Sequence, residues 1–237
     1  MSPITTVRHD WRDAAMDLFD TLKQQCREEW QAYINHPFPA RLAEGSLPHS
    51  AFRHYLIQDY IFLKHFSRAW ALVVYKADSI TTMQSAVTVL DGLLNHEMAM
   101  HVEYCGQWGI SREQIEKAQE ARANMAYTRY VLDAGLSGDL LDLMTALAPC
   151  VLGYAEIGRN CADKAGSGIE DHPFGQWIET YSGDEFQELA TNVQQLMNDL
   201  YPQEAQMERF TRLSRIFTDA TRLEQAFWDM GLEVDDA

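Results

Sequence analysis

The sequence predicts an all-α protein. Nearly every segment repeats its apolar residues with the period of a helix, strong helix formers dominate, and β-branched residues seldom occur in runs. The 237 residues, of which 46% are hydrophobic, suffice for a large core, and no repeat, low-complexity run or long linker divides them. We therefore expect one helical bundle over residues 1–237.

The first two helices are delimited by prolines. The first is predicted from about Trp11 to Ile34, ending before residues 37–39, because proline lacks a backbone donor and disfavours helical geometry in the residue before it. The second begins at residues 46–48, where serine offers a cap and proline fits the first turn, and it continues to about Ala77. A helix of roughly 30 residues spans about 45 Å.

Three further helices follow. The third is predicted from about Ser79 to Trp108 and ends before a glycine. Residues 111–114 read Ser-Arg-Glu-Gln, a capping box that opens a fourth helix toward Asp133. The fifth starts at residues 137–139, which read Ser-Gly-Asp.

The C-terminal part contains the most loop-like stretch, residues 166–173. Residues 182–185 then read Ser-Gly-Asp-Glu, which predicts another capping box and a new helix. A last helix is predicted from about Gln203 to Met230.

Composition excludes several classes of protein. The formal net charge is −16 and the Lys and Arg residues are scattered, which argues against binding to nucleic acid or to an anionic membrane. The four cysteines show no C-x-x-C spacing, so neither a zinc knuckle nor a redox pair is indicated, and unpaired thiols fit a reducing cytosol. Because there is no apolar export segment and no 18-residue uncharged run, we expect a soluble cytoplasmic protein.

The most informative segment is residues 148–158, which read Ala-Pro-Cys-Val-Leu-Gly-Tyr-Ala-Glu-Ile-Gly. Cys150 and Tyr154 lie one helical turn apart, so their side chains point the same way. A lone cysteine in an apolar helix is by default a small buried hydrophobe. A buried tyrosine hydroxyl must find a partner, however, and its place beside the thiol favours a reactive cysteine.

Asp59 shares the inward stripe of its predicted helix with aromatic residues. These are Tyr55, Phe62 and Phe66. Burying a carboxylate costs several kcal/mol unless it is paired, and among its near neighbours only Lys64 and Arg68 offer a charge. Asp59 is therefore part of a structural ion pair, a carboxylate at the rim of the bundle, or the acceptor for a flat, amino-bearing heterocycle.

Glu224 lies three residues before Phe227 and four before Trp228, on one helical face with them. A glutamate at such a position is commonly solvated. If it is partly buried instead, its pKa rises toward neutrality and it can transfer protons.

The segment around His96 and His101 invites a metal interpretation, which the spacing opposes. The two residues are five apart, about 140° around a helix, so they cannot face one metal ion. A di-iron bundle needs Glu-x-x-His motifs, which the chain lacks, and Glu97 and His101 are expected to hydrogen-bond each other or their neighbours. We expect no metal and no organic cofactor.

Four segments together resemble the TenA (thiaminase II) family, in its cysteine-containing branch. They are residues 55–59, 149–158, 177–181 and 224–230. The resemblance implies a haem-oxygenase-like multi-helix bundle without haem, a homotetramer or homodimer, and a role in thiamin salvage. It also implies hydrolysis of 4-amino-5-aminomethyl-2-methylpyrimidine to the hydroxymethylpyrimidine with release of ammonia, or cleavage of thiamin.

The resemblance assigns roles to individual residues. Cys150 matches the nucleophile, Asp59 the carboxylate that binds the pyrimidine, and Glu224 the glutamate that protonates the departing amine and activates water. The hydroxyls flanking the thiol and the substrate are those of Tyr127, Tyr154 and Tyr181. We expect these hydroxyls to lower the pKa of the thiol.

The aromatic stripe contains one departure from the family pattern. The family often has a tyrosine three residues after the aspartate, and this chain has Phe62, which together with Phe66 can line the pocket but cannot donate a hydrogen bond. Two other functions stay open at this point. One is an oxidase or metal-binding bundle of the haem-oxygenase-like superfamily, and the other is a non-catalytic pyrimidine-binding protein or regulator.

Overall fold

The computed structural model describes residues 17–201 and 207–233, and within these ranges it contains twelve α-helices and no strand. The helices are α1 Leu18–Gln25, α2 Arg27–Ile34, α3 Pro37–Ala43, α4 His49–Lys76, α5 Ile80–Asp91, α6 Met98–Gln107, α7 Arg112–Glu116, α8 Arg122–Ser137, α9 Leu140–Ala165, α10 Gly175–Ser182, α11 Asp184–Leu200 and α12 Met207–Leu232. The all-α prediction is confirmed. The predicted helix starts at Trp11 and Gln203 lie outside the described residues.

Helix α9 forms the centre of the bundle. It packs against α8, α10, α11 and α12, and most of its side chains are buried. Its first turn is closed by a capping box, in which the side chains of Asp139 and Asp142 each accept a hydrogen bond from the other's backbone N–H. The span Leu140–Asp171 is apolar and long enough to cross a membrane, but 83% of its most apolar window is buried in the protein, as in a core helix.

Two glycines of α9 allow neighbouring groups to approach closely. A Cβ atom at Gly153 would lie 2.3 Å from Cε1 of Tyr33, whose hydroxyl donates a hydrogen bond of 3.2 Å to the carbonyl oxygen of Pro149. A Cβ atom at Gly158 would lie 2.5 Å from the backbone carbonyl carbon of Tyr181 in α10. The glycines therefore let α2 and α10 approach closely the helix that carries Cys150.

Helix α4 confirms the predicted second helix, with one difference at its start. Pro48 precedes the first helical residue and no side chain caps it, because the hydroxyl of Ser46 donates instead to the carbonyl oxygen of Arg41, at 3.4 Å. The predicted inward stripe is buried along its whole length. Its members are Tyr55, Asp59, Phe62 and Phe66.

The first predicted helix ends at Ile34 as expected, but it is broken at Cys26, whose φ of −112° and ψ of 39° leave helical geometry. The turn lets α1 pack against α11 while α2 packs against α12, so both short helices bury their apolar faces.

Residues 37–39, which were predicted only to end a helix, also start the next one. Pro37 begins α3, because its missing N–H is tolerated in a first turn.

The third and fourth predicted helices are also modified. The path from Ile80 to Gln107 is continuous but widens into a π-helical segment over Gly92–Glu97. The predicted capping box at 111–114 is present, yet its helix ends at Glu116. The gap before α8 is bound to α4 by Gln58, which donates to the carbonyl oxygen of Gln119 and accepts from the N–H of Ala121, both at 2.9 Å.

The predicted loop at 166–173 and the predicted cap at 182–185 both need correction. Gly166–Asp171 forms a 3₁₀ helix directly after α9. Ser182 is the last residue of α10, and the residue before α11 is Gly183, which has no side chain to accept a hydrogen bond. The new helix begins where predicted, without a capping box.

We predict that Gly158→Ala destabilises the fold and Gly106→Ala does not. The added methyl group at residue 158 meets the backbone of Tyr181, so the helices must separate, at a cost of about 1–3 kcal/mol. Nothing lies within 4 Å of a Cβ atom at Gly106 in α6, so alanine there should stabilise by roughly 0.5–1 kcal/mol. Urea unfolding measures both changes, and equal effects of the two substitutions would contradict this account.

Candidate active site

A cavity of about 430 Å³ lies between α4, α9, the π-helical segment and the turn that joins α10 to α11. This volume is in the range of pockets that hold small organic ligands. Six of the eight predicted site residues line it, namely Asp59, Phe62, Phe66, Cys150, Tyr154 and Tyr181. Segments that are up to 122 residues apart along the chain, 59 to 181, therefore meet at one cavity.

Cys150 is the one described cysteine that is partly exposed, and it faces this cavity. Tyr154, one turn along α9, lines the same wall, and its hydroxyl lies 3.4 Å from that of Tyr55. The side chain of Tyr154 stacks on Trp228 of α12, with ring centroids 5.3 Å apart. The predicted shared face of thiol and phenol is confirmed.

Asp59 is buried and held by hydrogen bonds to one of its two carboxylate oxygens. Its Oδ2 accepts from the hydroxyl of Tyr55 at 3.0 Å and lies 2.8 Å from Nε2 of His101. None of the hydrogen bonds described for residues 17–201 and 207–233 uses Oδ1, although Asp59 lines the cavity. Oδ1 is therefore available to a ligand.

The partner of Asp59 differs from the one the sequence suggested. Neither Lys64 nor Arg68 pairs with it, and Arg68 instead contacts His65 at 2.9 Å. The partner is His101, whose Nδ1 donates to the backbone carbonyl oxygen of Glu97 at 2.8 Å. Burial lowers the pKa of His101, but the hydrogen bond and charge of Asp59 outweigh it, so the pKa is raised overall.

Glu224 lies one layer behind the cavity wall and is only 1% exposed, so the solvated alternative is wrong. Its Oε1 accepts a hydrogen bond of 2.8 Å from the hydroxyl of Tyr127, which likewise is absent from the cavity lining. Burial raises the pKa of Glu224 to about 8; the hydrogen bond from Tyr127 opposes this shift and the charge of Asp59 adds to it.

The thiol of Cys150 does not have the lowered pKa that the sequence suggested. Burial raises its pKa well above the usual 9.0, and the carboxylates of Glu224, Asp59 and Glu97 raise it further. No lysine or arginine lines the described cavity to oppose these carboxylates. The thiol is therefore neutral and needs a base before it can act as a nucleophile.

The aromatic rings of α4 form the apolar side of the site. Phe62 stacks on Phe66 and on Tyr127, with ring centroids 5.1 and 5.2 Å apart. Phe227 of α12 packs against Phe62 at 5.6 Å. Phe62 and Phe66 line the cavity together with Tyr154 and Tyr181, so aromatic rings from α4, α9 and α10 face the same space.

Sequence reasoning missed three polar residues of the site. Tyr55 lies on the same stripe as Asp59, so its spacing of four residues could have suggested the contact. The expected hydrogen bond between His101 and Glu97 is present, but the link from His101 to Asp59 was not predicted, because nothing local shows that α6 packs against α4. Within residues 17–201 and 207–233, no three His, Cys, Asp or Glu side chains are grouped so as to hold a metal ion.

A model of the TENA/THI-4/PQQC family matches residues 23–234. The chain belongs to this family. It is 38% identical to a protein of Halalkalibacterium halodurans named aminopyrimidine aminohydrolase, over 91% of this chain and 95% of the relative. A solved structure from Silicibacter sp., described as a TenA family transcription regulator, shares 44% identity and a TM-score of 0.85, over 92% of this chain and 97% of that one.

The fold prediction is confirmed as well. A domain from Shewanella denitrificans described as having a heme oxygenase-like fold superposes with a TM-score of 0.72 at 15% identity, over 93% of this chain and 94% of that one. The TenA protein therefore has the predicted all-α, haem-oxygenase-like bundle, with the candidate site between its helices.

We predict that Glu224→Gln changes how stability depends on pH. Because folding raises the pKa of Glu224 from 4.5 to about 8, the native state binds this proton more tightly than the unfolded state does. The protonated Glu224 side chain therefore contributes to the free energy of unfolding. This contribution is fully present below about pH 4.5 and is lost as the pH rises toward 8, at about 1.4 kcal/mol per pH unit. Because glutamine cannot ionise, Glu224→Gln removes this loss of stability with rising pH.

Urea unfolding at about pH 5 and about pH 8 measures the effect. The fall in unfolding free energy between these values should be smaller in Glu224→Gln by about 2–4 kcal/mol. Glu208, exposed in the first turn of α12, provides the matched control, since Glu208→Gln should keep the fall seen in the unmodified protein. The same fall in both variants would contradict a raised pKa at Glu224.

Proposed function

We propose that the protein is an aminopyrimidine aminohydrolase of thiamin salvage. It converts 4-amino-5-aminomethyl-2-methylpyrimidine and water to the hydroxymethylpyrimidine and ammonia, and the same site suits cleavage of thiamin at its methylene bridge. The observation that carries this proposal is that a thiol, a buried carboxylate with one free oxygen and an aromatic wall face one cavity. Family membership and the named relative support it.

Asp59 binds and orients the ring. Its free Oδ1 accepts a hydrogen bond from the amino-bearing edge of the pyrimidine, while Tyr55 and His101 hold Oδ2 in place. Stacking on Phe62 fixes the plane of the ring. A carboxylate at this edge stabilises a protonated ring, which is a better electrophile.

Cys150 and Glu224 carry out the covalent steps. The sulfur of Cys150 adds to a ring carbon, and its proton moves to the adjacent Glu224 carboxylate. The C–N bond then breaks with its electron pair on nitrogen, and the nitrogen leaves protonated, as ammonia. Water adds to the carbon it left, the C–S bond breaks, and the sulfur recovers a proton. Glu224 takes the thiol proton and returns a proton when amine or sulfur departs.

The remaining tyrosines position these groups. Tyr127 orients the carboxyl group of Glu224 through its 2.8 Å hydrogen bond, and Tyr154 lies beside the thiol on α9. Tyr181 also lines the cavity, and its hydroxyl donates to Glu97 at 2.6 Å. None of these steps routes through a metal ion or an organic cofactor.

Several broader features belong to the same proposal. We take residues 1–237 as one TenA-like domain, active in the cytoplasm and assembled as a homotetramer or homodimer. One buried core that draws on all the long helices supports the single domain. The acidic net charge and the buried α9 support a protein that engages neither nucleic acid nor membrane.

We predict that Cys150→Ser lowers ammonia release by at least roughly 10³-fold, because a hydroxyl is a far weaker nucleophile than a thiolate. Chelator-treated protein is given the aminomethylpyrimidine, and ammonia is measured with time. Cys105→Ser is the matched control, since Cys105 is buried away from the cavity and should keep its activity.

Three outcomes of these measurements would favour a different nucleophile or a different function. Full turnover by Cys150→Ser would overturn the nucleophile assignment. Binding of the pyrimidine by the unmodified protein without any product would favour a non-catalytic binding protein. Activity that disappears on chelation and returns with a metal ion would favour a metal-dependent bundle.

A further inference from the structure

The π-helical segment brings a second carboxyl group into the cavity that the proposed reaction leaves unused. Glu97 is the last residue of this segment, and its side chain is partly exposed to the cavity. A π turn adds one residue to a helix and commonly marks a functional site. Here the helical path widens where it borders the cavity, through Leu93, His96 and Glu97.

Glu97 is rigidly placed, with one carboxylate oxygen unused. Its Oε1 accepts a 2.6 Å hydrogen bond from the hydroxyl of Tyr181, and its backbone carbonyl accepts from His101, which in turn binds Asp59. Its Oε2 takes part in no hydrogen bond among the described residues and is not one of the buried unpaired atoms. Oε2 is therefore free and accessible to a ligand in the cavity.

The charged groups around the cavity are almost all acidic. Among its described lining residues there is no lysine or arginine, and His96 is the one side chain that can become positive. Three further carboxylates are exposed at its mouth, those of Glu179, Asp184 and Glu185. A cavity whose charged groups are carboxylates attracts cations and concentrates them near its walls.

We propose that Glu97 binds the ammonium group of the substrate's 5-aminomethyl arm while Asp59 binds the ring. This inference rests on the proposed function and deepens it by assigning the subsite for the leaving nitrogen. An alkylamine is protonated at neutral pH, whereas the hydroxymethyl product is uncharged. Glu97 is then a specificity residue that favours substrate over product. An arm bound as ammonium leaves as ammonia without a proton from Glu224, so Glu224 then exchanges protons only with the thiol, the water and the departing sulfur.

Binding measurements on Cys150→Ser protein test this, because substrate then stays intact. Isothermal titration gives dissociation constants for the aminomethylpyrimidine and for the hydroxymethylpyrimidine. When Glu97→Gln is added to the Cys150→Ser protein, the dissociation constant of the aminomethylpyrimidine should rise by about tenfold or more. That of the hydroxymethylpyrimidine should rise by less than about twofold. A glutamine at residue 97 keeps a side-chain oxygen that can accept the hydrogen bond from the hydroxyl of Tyr181, so the structure of the cavity wall is preserved.

The matched control is Glu103→Gln, which removes one negative charge from an exposed position of α6 and should leave both dissociation constants within about twofold. Equal weakening of both ligands by Glu97→Gln, or weakening of neither, would overturn the subsite while leaving the proposed hydrolase intact. If the unmodified protein releases no ammonia and Cys150→Ser binds neither pyrimidine, the proposed function fails, and the subsite fails with it.

Discussion

The site depends on the need to satisfy one buried carboxylate. Asp59 is 3% exposed, and an unpaired charge at that depth would cost several kcal/mol. Its two partners come from different parts of the chain, and each is oriented in turn. Tyr55 accepts a hydrogen bond from Nε1 of Trp177 in α10, and His101 donates to the carbonyl oxygen of Glu97 in the π-helical segment. Helices α4, α6 and α10 are therefore aligned by the same interactions that orient the Asp59 carboxylate and leave its Oδ1 unused.

A second buried carboxyl group, that of Glu224 behind the cavity wall, is accommodated in a different way. Glu224 is buried without a cationic partner, and its pKa of about 8 shows that it is accommodated largely as the neutral acid. Tyr127 fixes it from α8, and the neutral thiol of Cys150 lies against it from α9. Three long helices thus bring together a carboxyl group and a thiol that are both uncharged, which limits the cost of burying them. In the proposed reaction, Glu224 must ionise before it can take the thiol proton.

Sequence patterns predicted what depends on local spacing. The stripe that contains Asp59 and the shared face of Cys150 and Tyr154 follow from helical periodicity, and the structure confirms both. The role of His101 could not be predicted, because its bond to Asp59 joins residues 42 positions apart. The π-helical segment over Gly92–Glu97 was not predicted either, because it lies within a continuous helical path and neither glycine nor proline interrupts the sequence between Leu93 and Glu97. The pKa of Cys150 was given the wrong direction because hydroxyl neighbours are visible in the sequence, whereas burial and three converging carboxylates are not.

The charges around the cavity explain why a cationic ligand suits it. Asp59 has a partner in His101, but Glu97 and Glu224 have raised pKa values of about 7 and about 8, and Cys150 is neutral. Each of these shifts arises from burial and from negative charge that no lysine or arginine in the described cavity wall balances. A protonated pyrimidine with a charged arm supplies the missing positive charge. In the proposed reaction, its binding favours the ionised form of Glu224, which then takes the proton of the Cys150 thiol.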